Sequence, residues 1–136
     1  MKDKEGVIIM KTALITGCNR GLGEGIRNVL LKNGYKVFGL NRTVNNCKIE
    51  KYVEIECDIS SSENIEKIKN QVDEKIDLLV INAGIRRFNK IENMKREDWE
   101  ASINTNLNGA FYILNIFIEN VKKAKGDIRT NTFIIM

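Results

Sequence analysis

The chain has 136 residues, 43% hydrophobic and 29% charged, with a formal net charge of +4 and neither histidine nor proline. That length suits one domain with a real core, and no apolar run approaches the roughly 20 residues of a membrane span. Without histidine, the serine, cysteine and zinc hydrolases that depend on an imidazole are excluded.

Cys18, Cys47 and Cys57 are widely spaced with no CxxC pair, which suggests neither a disulfide framework nor a metal site. Positive charge is scattered, with no cluster larger than the Arg86 and Lys122 pairs. It gives nucleic acid little support and suits an anionic ligand such as a phosphate. The opening "MKDKEGVIIM" has too short an apolar patch for a signal peptide. Residues 1–10 are expected to be a tail or an alternative start, residues 11–136 an incomplete domain, and the location cytoplasmic.

In chain order, residues 11–16 read as a strand, and residues 21–34 as a helix with Leu22, Ile26, Val29 and Leu30 on one face and an Asn33-Gly34 stop. Residues 35–40 and 52–57 read as the second and third strands. A capping box from Ser60 to Glu63 opens a helix with Ile65, Ile68 and Val72 inward. "IDLLVINAG" (76–84) reads as a strand covered on both faces. Trp99, Ile103, Ala110, Ile113, Phe117 and Val121 keep helical spacing, predicting one long helix from Lys95 to about Val121, with its aromatic residues as core or subunit contacts. "NTFIIM" (131–136) reads as a fifth strand. Strand and helix alternating throughout imply a doubly wound parallel α/β sheet of the Rossmann type, with about five strands, helices on both faces, and a truncated end.

Glycines at 17, 21 and 23 follow the strand "TALIT" directly. The spacing is T-G-x-x-x-G-x-G rather than GxGxxG, but the physics is the same. Small residues let backbone approach a phosphate, and the following helix aims its N-terminal amides at the anion. A sharp strand-to-helix corner is the plainer alternative for a single glycine.

"TGCNRGLG" (16–23), "NAG" (82–84), "CDIS" with Asp58 after the third strand, and "NTNLNGAFYI" (104–113) together resemble the short-chain dehydrogenase/reductase family, over roughly Lys11 to Gly126. The resemblance implies an oxidoreductase that transfers hydride between a nicotinamide dinucleotide and a carbonyl or alcohol carbon. It implies that Gly17, Asn19, Arg20, Gly21, Leu22 and Gly23 line the pyrophosphate and adenosine ribose. Asp58 and Ile59 would meet the adenine edge, and Asn82, Ala83 and Gly84 would pass beside the cofactor. Asp58 reads equally well as a turn or cap residue, and Asn82 as a strand-ending turn whose amide bonds nearby backbone.

The residues after the second strand bear on cofactor choice. An NAD site offers a carboxylate roughly 20 residues after the glycine turn, whereas this strand ends in Asn41 and Arg42. A guanidinium suits a 2′-phosphate, and Arg20 supplies a second cation, so NADP(H) is expected over NAD(H). Asn106 lies on an otherwise apolar helical stripe. By resemblance it is the candidate catalytic residue, holding a water in a proton relay; the plainer reading is a hydrogen bond to a broken turn near Gly109.

The family's Ser and Tyr-x-x-x-Lys are not found. Tyr35, Tyr52 and Tyr112 each lack a lysine four residues on. The expectation is therefore a cofactor-binding portion ending before its catalytic residues and inactive alone, with a frameshift near Arg129 or a short insertion explaining the departure of "RTNTFIIM" from the family pattern. An apolar edge at "TFIIM" would promote oligomerisation or pairing with a complementing chain. A non-catalytic dinucleotide-binding module and a non-functional truncated product are the alternatives.

Overall fold

The computed structural model describes residues 2–131. Strands β1 (Thr12–Thr16), β2 (Lys36–Asn41), β3 (Tyr52–Glu56), β4 (Leu78–Ile81) and β5 (Asp127–Thr130) form one all-parallel sheet in the order β3-β2-β1-β4-β5. The expected α/β architecture stands. From β1 the chain winds outward through β2 and β3, then crosses back to β4, so the winding reverses between β1 and β4. In open parallel sheets, ligands bind beyond the strand ends at such a switch point.

Residues alternate between the two faces. Ala13 and Ile15 join Val37, Tyr52 and Val80 under Ile26, Leu30 and Leu31 of helix α1 (Gly21–Lys32). Leu14 joins Phe38, Leu40, Ile55, Leu79 and Ile81 on the opposite face. Helices α2 (Ser62–Ile68) and α4 (Gly109–Ala124) cover them through Ile65, Ile68, Ile113 and Phe117. Each such buried aliphatic or aromatic side chain stabilises the fold by about 1.5–3 kcal/mol.

Several expectations are corrected. The buried face of α1 carries Gly23 and Arg27, while Leu22 and Val29 point to solvent. Contact of Gly23 with the Gly17 carbonyl and the Asn82 amide sets the helix's rotation, leaving no room for a side chain there. The cap of α2 is Ser61, whose Oγ accepts from Asn64 N, one residue later than expected. Ser60 instead donates to Asp58. Strand β4 stops at Ile81, because the Asn82 and Ala83 amides turn to Thr16 Oγ1.

Strand and helix do not alternate throughout: β2 and β3 are joined by residues 42–51 without a helix. The long helix is α3 (Arg96–Ile103), a π-helical turn (Asn104–Asn108) and α4 in continuous succession. Phe117 is core, whereas Trp99 and Phe111 are exposed.

The fifth strand begins at Asp127, four residues before the expected one. Lys125 adopts a left-handed φ of 51° to end α4. Gly126 then passes the Ile76 and Asp77 carbonyls where a side chain would collide. Pairing with β4 follows at once, Leu78 opposite Asp127. Residues 132–136, most of the expected fifth strand, lie outside the described residues. Among the described residues, no helix is long and apolar enough to cross a membrane.

Candidate functional site

Successive peptide groups of the turn after β1 are tied to the body of the protein. Gly17 N donates to Leu40 O at 2.8 Å, and the Asn82 side-chain amide donates to Gly17 O. Cys18 N donates to Asn41 Oδ1 at 2.8 Å, and Arg27 Nη1 donates to Cys18 O at 3.2 Å. Gly17 has a φ of 68°, and a side chain there would collide with the Ala83 backbone. Thr16, fully buried, accepts from both Asn82 N and Ala83 N at 3.0 Å. The ends of β1 and β4 thus close on each other beneath the turn.

Gly21 opens α1 with a φ of 59° and open space where a Cβ would stand. No side chain caps the N-terminus of this helix. Its first-turn amides belong to the set that an α-helix cannot satisfy internally. Backbone donors at a helix start, approached by small residues, form an anion site.

Asn19 and Asn41 meet at the turn, with Arg20 and Arg42 as their chain neighbours. Arg20 is the extended N-cap residue, and it and Arg42 are exposed. The Asn19 side-chain amide donates to Thr43 O, fastening the turn to the residue after Arg42. Asn41 is buried, and its Nδ2 faces Asn19 Oδ1 (2.8 Å), Tyr52 OH (3.2 Å) and Glu54 Oε1 (3.3 Å). Its side chain is therefore spent on bracing. Glu54 also accepts from Asn45 N at 3.0 Å and Cys47 N at 3.4 Å. Burial raises its pKa, but donors from Asn45, Asn19, Cys47 and Asn41 outweigh this and hold the carboxyl below the ordinary value. Burial pushes the Tyr52 phenol up, with the Cys18 thiol beside it adding to the effect.

Asp58 holds Ser60 N at 3.0 Å and Ser60 Oγ at 2.7 Å, which makes it a turn residue before α2. Ile59 is buried, and its side chain faces Gly109 in the core. Asn106 lies in the π-helical turn, a distortion often found at functional sites. Its Oδ1 accepts from Ile85 N at 2.8 Å and its Nδ2 donates to Ile85 O at 2.9 Å. These bonds run to the segment after β4. Asn106 thereby ties the helix to the segment after β4 that begins with Asn82, Ala83 and Gly84.

Sequence reading missed Thr16, Arg27, Tyr52 and Glu54. Arg27 left one signal: it stands four residues after Gly23, on the face that a close-packed glycine must turn inward. Among the described residues, no group of three potential ligands could hold a metal ion.

A family model described as short chain dehydrogenase matches residues 11–130. The chain belongs to the short-chain dehydrogenase family. Among curated relatives, the 3-oxoacyl-(acyl-carrier-protein) reductase of Buchnera aphidicola (subsp. Baizongia pistaciae) is 39% identical over 131 residues, covering 88% of this chain and 54% of that protein. The 2-dehydro-3-deoxy-D-gluconate 5-dehydrogenase of Bacillus subtilis is 34% identical over 116 residues, covering 78% and 46%. Among solved structures, an alcohol dehydrogenase from the archaeon Thermococcus sibiricus, complexed with 5-hydroxy-NADP, superposes with a TM-score of 0.83 at 29% identity, covering 90% of this chain and 57% of that one. A 3-ketoacyl-(acyl-carrier-protein) reductase from Brucella melitensis, complexed with NADH, gives 0.80 at 27%, covering 88% and 56%. This short-chain dehydrogenase chain spans about half the length of the curated relatives it matches.

Proposed function

We propose that these residues form the dinucleotide-binding portion of an NAD(P)(H)-dependent oxidoreductase. The observation that carries the reading is the pinned glycine turn. Gly17 and Gly23 press against Ala83 and Asn82, while Gly21 leaves open space before a helix whose N-terminus no side chain caps. Gly17, Asn19, Arg20, Gly21, Leu22 and Gly23 would hold the pyrophosphate and adenosine ribose, with Asp58 and Ile59 near the adenine and Asn82, Ala83 and Gly84 alongside. The bound dinucleotide would supply the hydride chemistry at a carbonyl or alcohol carbon.

NADP(H) is the preferred form in this reading. Exposed Arg20 and Arg42 flank the turn, and the Asn19 link to Thr43 keeps the residue after Arg42 beside it. A guanidinium binds a 2′-phosphate through charge-assisted bonds. Asn41 contributes by bracing, and Asn106 by fixing the segment after β4 beside the cofactor. A second reading, a binding module without catalysis, is favoured by the tyrosines. Tyr35, Tyr52 and Tyr112 each lack a lysine four residues on, and Tyr52 is buried against Cys18 and Asn41. Oxidation or reduction then requires a Ser and a Tyr-x-x-x-Lys from beyond these residues or from a complementing chain.

Fluorescence titration with NADPH and NADH tests the reading. NADPH should bind more tightly, and Arg42→Asp should reverse the order. Equal or tighter NADH binding overturns the preference, and no binding of either overturns the function. Activity appearing only with a co-purified second chain would separate an assembled enzyme from a binding module.

A further inference from the structure

Arg27 is a buried cation behind the turn, 4% exposed. A buried charge is costly unless its donors and its charge are met. Here Nη1 is spent on the Cys18 carbonyl, and Nε and Nη2 reach Asn28 Oδ1 at 3.1 and 3.0 Å. The guanidinium also lies 5.0 Å from the Tyr52 ring centre. The neighbouring carboxylate, Glu24, stands 3.5 Å away with a side chain 47% exposed. That geometry compensates the charge only in part, leaving positive potential under the turn.

The Cys18 contact has a geometric consequence. All peptide bonds among the described residues are trans, and in a trans peptide the C=O and the next N–H point in opposite directions. With the Cys18 carbonyl drawn inward to Arg27, the Asn19 N–H faces outward, away from the core. The preceding peptide, Gly17–Cys18, is already fixed at both ends, by Asn82 on Gly17 O and by Asn41 on Cys18 N. Arg27 therefore fixes the next carbonyl along the turn, that of Cys18.

We propose that Arg27 is a positioning residue for the phosphate cradle: it holds the Cys18–Asn19 peptide so that Asn19 N–H faces a bound pyrophosphate, and it places a positive charge behind that anion. The proposal rests on the dinucleotide-binding reading above. It predicts an effect on ligands that carry a pyrophosphate and none on the nucleoside alone.

The test is a 15N–1H NMR titration of the full chain with ADP and, separately, adenosine, in the wild type, Arg27→Met and Arg27→Lys. In the wild type, ADP should move the Asn19 amide downfield and adenosine should leave it in place. Arg27→Met should weaken ADP binding about tenfold, the loss expected for one charge-assisted hydrogen bond, with adenosine binding unchanged; Arg27→Lys should restore part of it. An unmoved Asn19 amide at saturating ADP overturns the proposal. So does a folded Arg27→Met protein with wild-type ADP affinity, or one that loses adenosine and ADP binding equally. If Arg27→Met does not fold, the wild-type titration decides. Failure of the wild type to bind either ADP or NADPH sinks the functional reading as well, whereas ADP binding without the Asn19 shift sinks the role of Arg27 alone.

Discussion

Glu54 Oε1 accepts from the Asn41 side-chain amide at 3.3 Å, which brings a carboxylate from β3 to the end of β2. The sequence places no acid there. Parallel pairing does, because Gly39 lies opposite Glu54 and Asn41 opposite Glu56. The carboxylate faces inward onto Asn45 N and Cys47 N, so it organises the 42–51 connection while Arg42 stays exposed. A connection without a helix needs such an acceptor, since its own amides have no ladder to join.

That arrangement makes the loop acid-sensitive. Glu54 has a folded-state pKa below its ordinary 4.5. Its ionised form therefore favours the folded state above about pH 4.5, and this contribution is lost as the pH falls through the lowered value. Glu54→Gln should be less stable than the wild type at pH 7, and the gap should narrow below pH 4.5. Urea midpoints at pH 7 and pH 3.5 measure this; a gap of constant size would show that the carboxylate's charge is not what holds the loop.

The glycines of the turn should separate by mechanism. At Gly17 a Cβ would sit 2.9 Å from the Ala83 Cα in a backbone with a φ of 68°. Gly17→Ala combines left-handed strain with overpacking against backbone and should cost about 2–4 kcal/mol. Gly21 has a similar φ but nothing within 4 Å, so Gly21→Ala should cost about 1–2 kcal/mol of stability while weakening dinucleotide binding through the lost approach space. Chemical denaturation paired with NADPH titration checks both, and equal stability losses would show that contact with Ala83 is not what constrains Gly17.

How much of this was legible in the sequence depends on the range of the interaction. The glycine turn, Asn82 and the Asn106 position could be read because their signals are local: a strand, a break, then helical spacing. Strand β5 could not, because "DIRT" is polar and becomes a strand only through its register with Leu78–Ile81. Arg27 was not legible, since its burial is imposed by the closeness of Gly23 to Gly17 and Asn82. Glu54 was invisible for the same reason: what it meets is set by strand pairing. Asp58 read two ways, and its bonds to Ser60 give it at least the turn role.

The three cysteines should differ in reactivity. Burial, aided by the nearby Asp58 charge, pushes the Cys57 thiol up to about 11, and burial raises Cys18 as well. Both are shielded and poor in thiolate, whereas Cys47 lies half-buried in the 42–51 connection. Because the thiolate is the nucleophile, iodoacetamide at pH 8 should label Cys47 first in the native protein, with Cys18 and Cys57 following only in urea. Peptide mass spectrometry reads the order; early labelling of Cys18 would mean that the packing behind the turn opens readily.

Asn106 uses both ends of its amide on one residue, accepting from Ile85 N and donating to Ile85 O. This doubly bonded pair fixes the chain leaving β4 against the π-helical turn. Asn106→Leu removes donor and acceptor together and leaves the Ile85 peptide short of both, at a cost of about 2–3 kcal/mol. Asn106→Asp is the sharper variant. An ionised carboxylate still accepts from Ile85 N but sets a negative oxygen against Ile85 O, so the folded state should favour the protonated acid, which can donate there. Its pKa in the folded protein is thereby raised, the penalty is full at neutral pH, and stability returns as the pH falls through that raised value. Denaturation at pH 7.5 and pH 5, with hydrogen exchange at the Ile85 amide, reads both parts. A penalty that does not change with pH would show that the Asn106 donor to Ile85 O contributes little.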